Sequence, residues 1–192
     1  MTISQDAQAP GRRSTELHWV ESMGGPLIVV PVSALSLWHG CTEAGEVLGD
    51  PGIADDYDRA CAVDGYAEVL PVGGDGASAL VLGDEPAMTC YLPERNAFVR
   101  WFGADSEAGL LSAARQVMED PGTEWEDCGV WETSGPAVLM DSAVAGEELT
   151  TPSPELPEQA PVDIPAGRWE VQAAYVRTDD ARVGLVRLMP LQ

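Results

Sequence analysis

The residues that could support nucleophilic catalysis in this chain are few. A serine or cysteine nucleophile needs a general base beside it, and the chain has two histidines, His18 and His39. His39-Gly40-Cys41 is the one place where a histidine and a cysteine lie close in sequence, and the chain contains no nucleophile-elbow motif. Closeness in sequence does not place two side chains in contact. We therefore predict no catalytic residue, and a small hydrolase that uses His39 and Cys41 ranks third among the functional hypotheses.

Metal-ligating patterns are also incomplete. The cluster Asp55-Asp56-Tyr57-Asp58 has the acid content of a calcium loop, but Ala60 and Cys61 stand where such a loop needs a further ligand and a glycine. We expect these acids to cap the backbone around Tyr57 or to pair with Arg59. The four cysteines match no zinc or redox spacing and are interpreted as small buried hydrophobic residues. We predict no metal site.

Two glycine-rich segments are candidates for holding a phosphate group. Gly73-Gly74-Asp75-Gly76 and Gly24-Gly25-Pro26 contain no lysine, and neither opens a strong helix. Phosphate-binding loops depend on these features. We interpret both segments as turns and predict no cofactor.

Net charge is the strongest signal in the composition. Thirty-two acidic residues stand against ten arginines, with no lysine, and the formal net charge is −22. Such a charge repels nucleic acid and anionic lipid and favours rapid encounter with a basic partner. We therefore predict a protein partner, and neither nucleic acid nor membrane. The oligomeric state stays open.

The acids are concentrated in one region. Between Arg115 and Arg168 there is no basic residue, whereas twelve acids occur. A solvated acidic face is the simpler interpretation. A docking surface for a basic protein is the alternative, because complementary charge speeds encounter and sets specificity; the tryptophans here could anchor such an interface or belong to the core. The predicted partner-binding residues are Glu124, Trp125, Glu126, Asp127, Trp131 and Glu132.

Strand patterns dominate the elements that would position these residues. Four apolar runs, each separated from the next by four turn-forming residues, predict a meander of antiparallel strands at residues 66–72, 77–82, 87–92 and 97–102. The run Leu27–Pro31 has few polar interruptions, which is typical of a strand buried on both faces. Further strands are predicted at residues 125–133 and 137–141, and a C-terminal hairpin at residues 169–175 and 183–189.

One long amphipathic helix is predicted. Asp105 or Ser106 can cap it, and five apolar residues between positions 110 and 118 form one stripe. Ser33 is predicted to cap a single helical turn that Gly40 ends. The fold class is α+β: mostly antiparallel β-sheet, formed by the meander and the C-terminal hairpin, with one main amphipathic helix packed on it.

The length of 192 residues favours one domain. Residues 1–15 are predicted to be a disordered N-terminal tail, and residues 16–192 a single domain with a proline-rich acidic loop at 145–165. The sequence has neither the apolar run of a membrane span nor the pattern of a signal peptide. We therefore predict a cytoplasmic protein.

Several separated motifs carry a family resemblance. In order, they are Trp19-Val20-Glu21-Ser22-Met23-Gly24-Gly25-Pro26-Leu27, Trp38-His39-Gly40, Asp56-Tyr57-Asp58-Arg59-Ala60-Cys61, Val81-Leu82-Gly83-Asp84-Glu85-Pro86, Arg100-Trp101, Gly167-Arg168-Trp169 and Arg187-Leu188. From about His18 to Pro190, the chain resembles the immunity protein 21 family of bacterial polymorphic toxin systems. Several motifs in the right order make this resemblance more specific than any one of them.

The resemblance implies a cytoplasmic antidote, encoded beside a toxin, that protects the producing cell and its kin by binding the toxin without catalysis. It implies a single immunity-protein-like domain over residues 16–192. It assigns no toxin contacts, so the motif positions are open to a role as fold determinants. These positions are Trp19, Gly24, Gly25, Pro26, Asp56, Tyr57, Arg59, Asp84, Arg100 and Trp101.

The leading hypothesis is a non-enzymatic protein that neutralises a cognate toxin by electrostatically assisted occlusion. Many toxins of this kind act on nucleic acid through basic clefts, and an acidic inhibitor can occupy such a cleft in place of phosphate. The alternative is a general acidic interaction module, an adaptor or regulator with no toxin partner. The identity of the neighbouring gene distinguishes the two hypotheses.

Overall fold

Two antiparallel sheets form the frame of the protein. The computed structural model describes residues 17–46, 48–74, 76–83, 85–150 and 156–191. Its strands are β1 (Trp19–Val20), β2 (Leu27–Pro31), β3 (Glu68–Val72), β4 (Ala77–Leu82), β5 (Thr89–Leu92), β6 (Ala97–Ala104), β7 (Glu126–Thr133), β8 (Ala137–Asp141), β9 (Ala160–Val162), β10 (Gly167–Arg177) and β11 (Ala181–Pro190). Its helices are α1 (Asp56–Cys61) and α2 (Glu107–Glu119), with short 3-10 turns at Val32–Leu37, Pro93–Arg95 and Glu148–Thr150. The predicted α+β class, mostly antiparallel sheet with one main helix, is confirmed.

The two sheets pack face to face as a sandwich. Sheet A has the strand order β1-β5-β6-β11-β10-β7, and sheet B the order β3-β4-β2-β8-β9. Alternate side chains of both sheets meet in a shared core that includes Leu80, Leu139, Phe98, Trp131 and Val186. Because successive side chains of a strand point to opposite faces, both sheets also present an outer face that needs its own cover.

Helix α2 covers part of the outer face of sheet A. Its N-cap is Ser106, whose hydroxyl accepts a hydrogen bond from the Gly109 amide at 3.2 Å. Leu110, Ala114 and Val117 are buried against the sheet, mainly on β6 and β11. The predicted helix, its serine cap and its packing on the sheet are confirmed.

Short segments cover the outer face of sheet B. Trp38, Ala60 of α1 and Val144 are buried against it, and the Trp38 indole Nε1 donates to the Ser142 carbonyl at 3.0 Å. Strand β2 lies in the middle of sheet B, so both of its faces are covered, and all of Leu27–Pro31 is buried. The prediction of a strand buried on both faces is confirmed.

The acidic cluster around Tyr57 starts helix α1. The Asp55 carboxylate accepts from the Asp58 amide at 2.9 Å, and the Asp58 carboxylate accepts from the Asp55 amide at 3.1 Å. This reciprocal arrangement is a capping box. Asp56 pairs with Arg59 at 2.8 Å. The acids therefore cap the backbone and pair with Arg59, as predicted.

The four strands predicted between residues 66 and 102 form, but they do not make one meander. β3 and β4 pair in sheet B, whereas β5 and β6 pair in sheet A. The connection after Gly83 crosses between the sheets, and the buried Arg100 of β6 holds it by donating to the carbonyls of Gly83 and Glu85. Because these strands are apolar on both faces, their alternation did not show which of them share a sheet.

Smaller parts of the prediction also differ. The first 3-10 turn starts at Val32, so Ser33 does not cap it, and the Ser33 hydroxyl instead shares a 2.6 Å hydrogen bond with Ser134. The segment 145–165, predicted as a loop, contains β9, which pairs with β8. Because β9 has three residues with a proline at its centre, it is too short for the alternation of apolar and polar residues to identify it as a strand. The tail predicted at residues 1–15 lies outside the described residues.

No helix in the described ranges is long and apolar enough to cross a bilayer.

Replacing Gly25 by alanine should destabilise the fold. A Cβ atom at Gly25 would be 2.5 Å from Cε2 of Tyr57, so the ring must shift, at a cost of about 1–3 kcal/mol in the free energy of unfolding. Urea denaturation of Gly25→Ala measures this loss. Gly74→Ala is the matched control, because a Cβ atom at Gly74 meets nothing within 4 Å. Equal stability of the two variants would contradict the close packing of Gly25 on Tyr57.

Candidate partner-binding surface

Helix α2 leaves part of the outer face of sheet A uncovered. It packs on β6 and on the hairpin end of β11, where Ala181, Val183 and Leu185 are buried. On β7, β10 and the C-terminal end of β11, the residues that alternate with the core point outward beyond the helix. We call this surface the open face. It consists of Asp127, Val130, Glu132, Arg168, Glu170, Gln172, Arg187, Met189 and Leu191.

The strand register arranges the open face in three rows. These rows are Glu132, Arg168 and Leu191; Val130, Glu170 and Met189; and Asp127, Gln172 and Arg187. Val130 is 42% exposed and Leu191 is 38% exposed. Exposed apolar side chains thus lie among charged ones, a mixture typical of protein interfaces with an apolar centre and a polar rim.

Four of the six residues predicted to bind a partner lie on or beside the open face. Asp127 and Glu132 belong to it, and both side chains are exposed. Glu124 and Trp125 lie in the connection from α2 to β7, which borders the open face. Glu124 is exposed, whereas Trp125 is half-buried against the α2 side of the sheet.

The other two predicted residues lie elsewhere. Glu126 is on the opposite side of β7, where its carboxylate lies beside Gly65. Trp131 is fully buried in the core between the sheets, and its Nε1 donates to the Ser78 carbonyl at 3.1 Å. Of the two roles left open for the tryptophans, the core role applies to Trp131. It is not available as a surface anchor in this fold.

A chain of contacts crosses the open face. The guanidinium carbon of Arg187 lies 3.7 Å from the ring centroid of Trp125, a cation–π stack. Arg187 Nε and Nη2 donate to Gln172 Oε1 at 2.9 and 2.6 Å, and Gln172 Nε2 donates to Glu170 Oε1 at 2.8 Å. Burial lowers the pKa of the Arg187 guanidinium, while the negative charge of Glu170 acts in the opposite direction. The four side chains orient one another.

Sequence reasoning did not place Glu170, Gln172 and Arg187 among the partner-binding residues, although Arg187 is part of the Arg187-Leu188 motif. These residues lie in the C-terminal hairpin, about 40 or more positions after residues 124–127. The signal for Glu170 and Gln172 was the alternation of polar with apolar residues along β10. That pattern identifies an outward face but does not show that β7 lies beside it, because strand order is not encoded in periodicity.

Strand β7 is an edge strand whose free edge is interrupted. Cys128 and Gly129 together stand opposite Val171, which makes a β-bulge, and Gly129 has a φ of 91°. The Ser78 hydroxyl of sheet B donates to the Glu132 carbonyl at 3.3 Å. Both features hinder continuous pairing with an added strand. A partner at this edge would therefore meet side chains of the open face.

Several motif positions connect helix α1 to the rest of the fold. Gly25 lies against the ring of Tyr57. Arg59 donates to Asp56 at 2.8 Å and to the Pro71 carbonyl at 2.5 Å, which ties α1 to β3. These residues are engaged in internal contacts, in agreement with a role as fold determinants.

The other motif positions that the structure describes also lie in internal contacts or in turns. Trp19 and Trp101 meet edge to face with ring centroids 5.4 Å apart. Gly24 has a φ of 123°, which glycine adopts without strain. The Pro26 carbonyl accepts a hydrogen bond from the Ser142 amide at 3.2 Å. Arg100 is the buried bridge between the sheets.

Comparison with known protein families agrees with these motifs. The family profile described as immunity protein 21 matches residues 18–182. The chain belongs to the immunity protein 21 family. The resemblance is therefore confirmed, and with it the general role of an immunity protein. Asp84, the remaining motif position, lies within the matched range but outside the described residues. No curated protein and no solved structure matches the chain.

In this member of the immunity protein 21 family, the surroundings of His39 and Cys41 do not favour nucleophilic catalysis. His39 is directed to Asp56, with Nδ1 3.4 Å from the carboxylate, and its side chain is 68% exposed. Burial, followed by the negative charges of Asp55 and Asp58, raises the pKa of the Cys41 thiol. A catalytic cysteine needs the opposite shift. The raised pKa of Cys41 therefore does not favour the third-ranked hydrolase hypothesis.

Within the described ranges, the cysteines and acids do not come together as a set of metal ligands. Among the residues that the structure describes, no group of three His, Cys, Asp or Glu side chains could hold a metal ion. All four cysteines are free; Cys90 is buried, Cys41 and Cys128 are half-buried, and Cys61 is exposed. The interpretation as a buried hydrophobic residue is therefore right for Cys90 and wrong for Cys61, which lies at the exposed end of α1.

Replacing Arg187 by lysine should weaken the side-chain chain of the open face. Lysine retains the charge but neither stacks flat on Trp125 nor directs two fixed N–H donors at Gln172 Oε1. We expect Arg187→Lys to lower the free energy of unfolding by about 1–2 kcal/mol, measured by urea denaturation. Arg177→Lys, at the exposed end of β10, is the matched control with little expected change. If Arg187→Lys and Arg177→Lys lowered the free energy of unfolding equally, the Arg187 contacts would not be stabilising.

The raised pKa of Cys41 predicts slow alkylation at neutral pH. The thiolate is the reactive species, so the rate of modification by iodoacetamide should rise about tenfold per pH unit from pH 7 to at least about pH 9. Peptide mapping by mass spectrometry follows Cys41, with glutathione in the same tube as a reference. A rate that levels off near neutral pH would indicate a stabilised thiolate and would revive the hydrolase hypothesis.

Proposed function

We propose that this immunity protein binds and neutralises a cognate toxin through the open face, without catalysis. The observation that carries this proposal is an ordered surface that α2 leaves uncovered in the described part of the chain. Arg187 belongs to this surface and Trp125 lies at its border, and tryptophan and arginine are enriched among residues that dominate binding energy. Val130 and Leu191 add exposed apolar area. Family membership supports a toxin as the partner.

The charge of this surface fits a basic toxin. The open face and its border carry four carboxylates, those of Glu124, Asp127, Glu132 and Glu170, against two guanidinium groups, those of Arg168 and Arg187. This excess of acids lies on a chain whose formal net charge is −22. Complementary charge raises the association rate, and salt screens this effect. A toxin that acts on nucleic acid through a basic cleft would be attracted to this surface. The immunity protein would then occlude the cleft in place of phosphate.

The second candidate function is an acidic adaptor or regulator with no toxin partner. It would use the same surface, and the two functions differ in the identity of the partner. We further propose that residues 16–192 act as one domain and that the protein acts in the cytoplasm of the producing cell. Co-expression with the adjacent toxin gene distinguishes the candidates, because only an immunity protein restores growth.

Neutralising the acids of the binding surface should slow association. In the triple variant E124Q/D127N/E132Q, the association rate with the adjacent gene's toxin should fall about 5- to 10-fold at low salt. The salt dependence of the association rate should also become weaker. Stopped-flow kinetics at low and high ionic strength measures both effects.

The matched control is E68Q/D179N/D180N, which changes the net charge equally at exposed positions on the other sheet and at the tip of the β10–β11 hairpin. We expect its association rate to stay within about twofold of the unmodified protein. Equal slowing in both triples would assign the effect to net charge and not to the open face. If the unmodified protein neither binds the toxin nor restores growth, toxin neutralisation itself is overturned.

A further inference from the structure

The centre of the open face is occupied by a carboxylate. Glu170 is in the middle row, between Val130 of β7 and Met189 of β11. Its side chain is half-buried. A carboxylate between two apolar side chains has lost part of its hydration. A cationic group that reaches it therefore interacts more strongly than one that reaches a rim carboxylate in water.

Glu170 is oriented before any partner binds. It accepts a hydrogen bond from Gln172, which is held by two bonds from Arg187, which in turn stacks on Trp125. A side chain already held in one orientation loses less conformational entropy on binding. A carboxylate has about four lone-pair sites, so the bond from Gln172 leaves capacity for a donor from a partner.

The charge of Glu170 is also available to a partner. Arg187 donates to Gln172 and not to the Glu170 carboxylate, so the charges of Arg187 and Glu170 act on one another without a direct ion pair. In the neighbouring rows the carboxylates of Asp127 and Glu132 are matched by the guanidinium groups of Arg187 and Arg168, so Glu170 supplies the excess negative charge of the open face. An acidic partner is repelled by this arrangement and a basic one is attracted.

We propose that Glu170 is the anchor of the toxin interface and receives one arginine or lysine side chain from the basic surface of the toxin. This inference rests on the proposed function. The aliphatic stem of the incoming side chain packs on Val130 and Met189, and its charged end forms a charge-assisted hydrogen bond with Glu170.

This assignment separates two kinetic roles on one surface. Exposed rim carboxylates such as Asp127 and Glu132 act at a distance and mainly change the association rate. A central pair that is removed from water on binding mainly changes the dissociation rate. The two roles can therefore be measured independently in the same complex.

The test compares Glu170→Gln with the rim triple E124Q/D127N/E132Q in binding kinetics with the toxin. The amide is isosteric with the carboxylate and retains the contact with Gln172. Dissociation of Glu170→Gln should be at least about 30-fold faster, with an association rate within about twofold of the unmodified protein. Glu170→Asp keeps the charge on a shorter side chain, so its dissociation rate should be intermediate.

The control variant is Glu68→Gln, an exposed acid on β3 of the other sheet, and thermal unfolding of each variant verifies the fold. Unchanged dissociation in both Glu170 variants, while the rim triple still slows association, would overturn the anchor and leave the proposed function standing. If Glu68→Gln accelerated dissociation as much as Glu170→Gln does, the role of Glu170 as anchor would also be overturned. Failure of the unmodified protein to bind the toxin would overturn the proposed function instead.

Discussion

The packing of one helix on a wider sheet determines the surface of this protein. Helix α2 has 13 residues and is therefore about 20 Å long. Sheet A has six strands and is about 24 Å wide, and β10 runs for 11 residues. One helix about 10 Å across cannot cover such a face. The part of sheet A that the helix leaves uncovered is exposed to water. Its polar side chains Arg187, Gln172 and Glu170 form hydrogen bonds in sequence, from Arg187 to Gln172 and from Gln172 to Glu170.

Local patterns predicted most elements of the fold but not their pairing. Leu27–Pro31, helix α2 with its Ser106 cap, and the C-terminal hairpin have strong periods and clear end signals, and all of them form. The connection that divides the meander between two sheets is held by Arg100, whose buried guanidinium donates to the carbonyls of Gly83 and Glu85. Such a contact joins residues that are distant along the chain, so no local pattern reports it.

The candidate surface was predictable in part, and β7 shows where the limit lies. Trp125 and Trp131 are six residues apart, so a regular strand would point both rings to the same face. The bulge at Gly129 inserts one residue and reverses the alternation. Trp125 consequently lies beside Arg187 on the outer side, and Trp131 lies in the core. The composition of β7 identified an acidic, aromatic segment, but the bulge decided which aromatic ring faces outward.

The alternation along β7 and β10 also has an evolutionary consequence. Residues of the open face and residues that hold the two sheets together follow one another singly, as with Val130 and Trp131, or Trp169 and Glu170. Every second residue of these strands can therefore change without repacking the interior. Under the proposed function, toxin recognition and stability are inherited on the same strands but are free to diverge at separate rates.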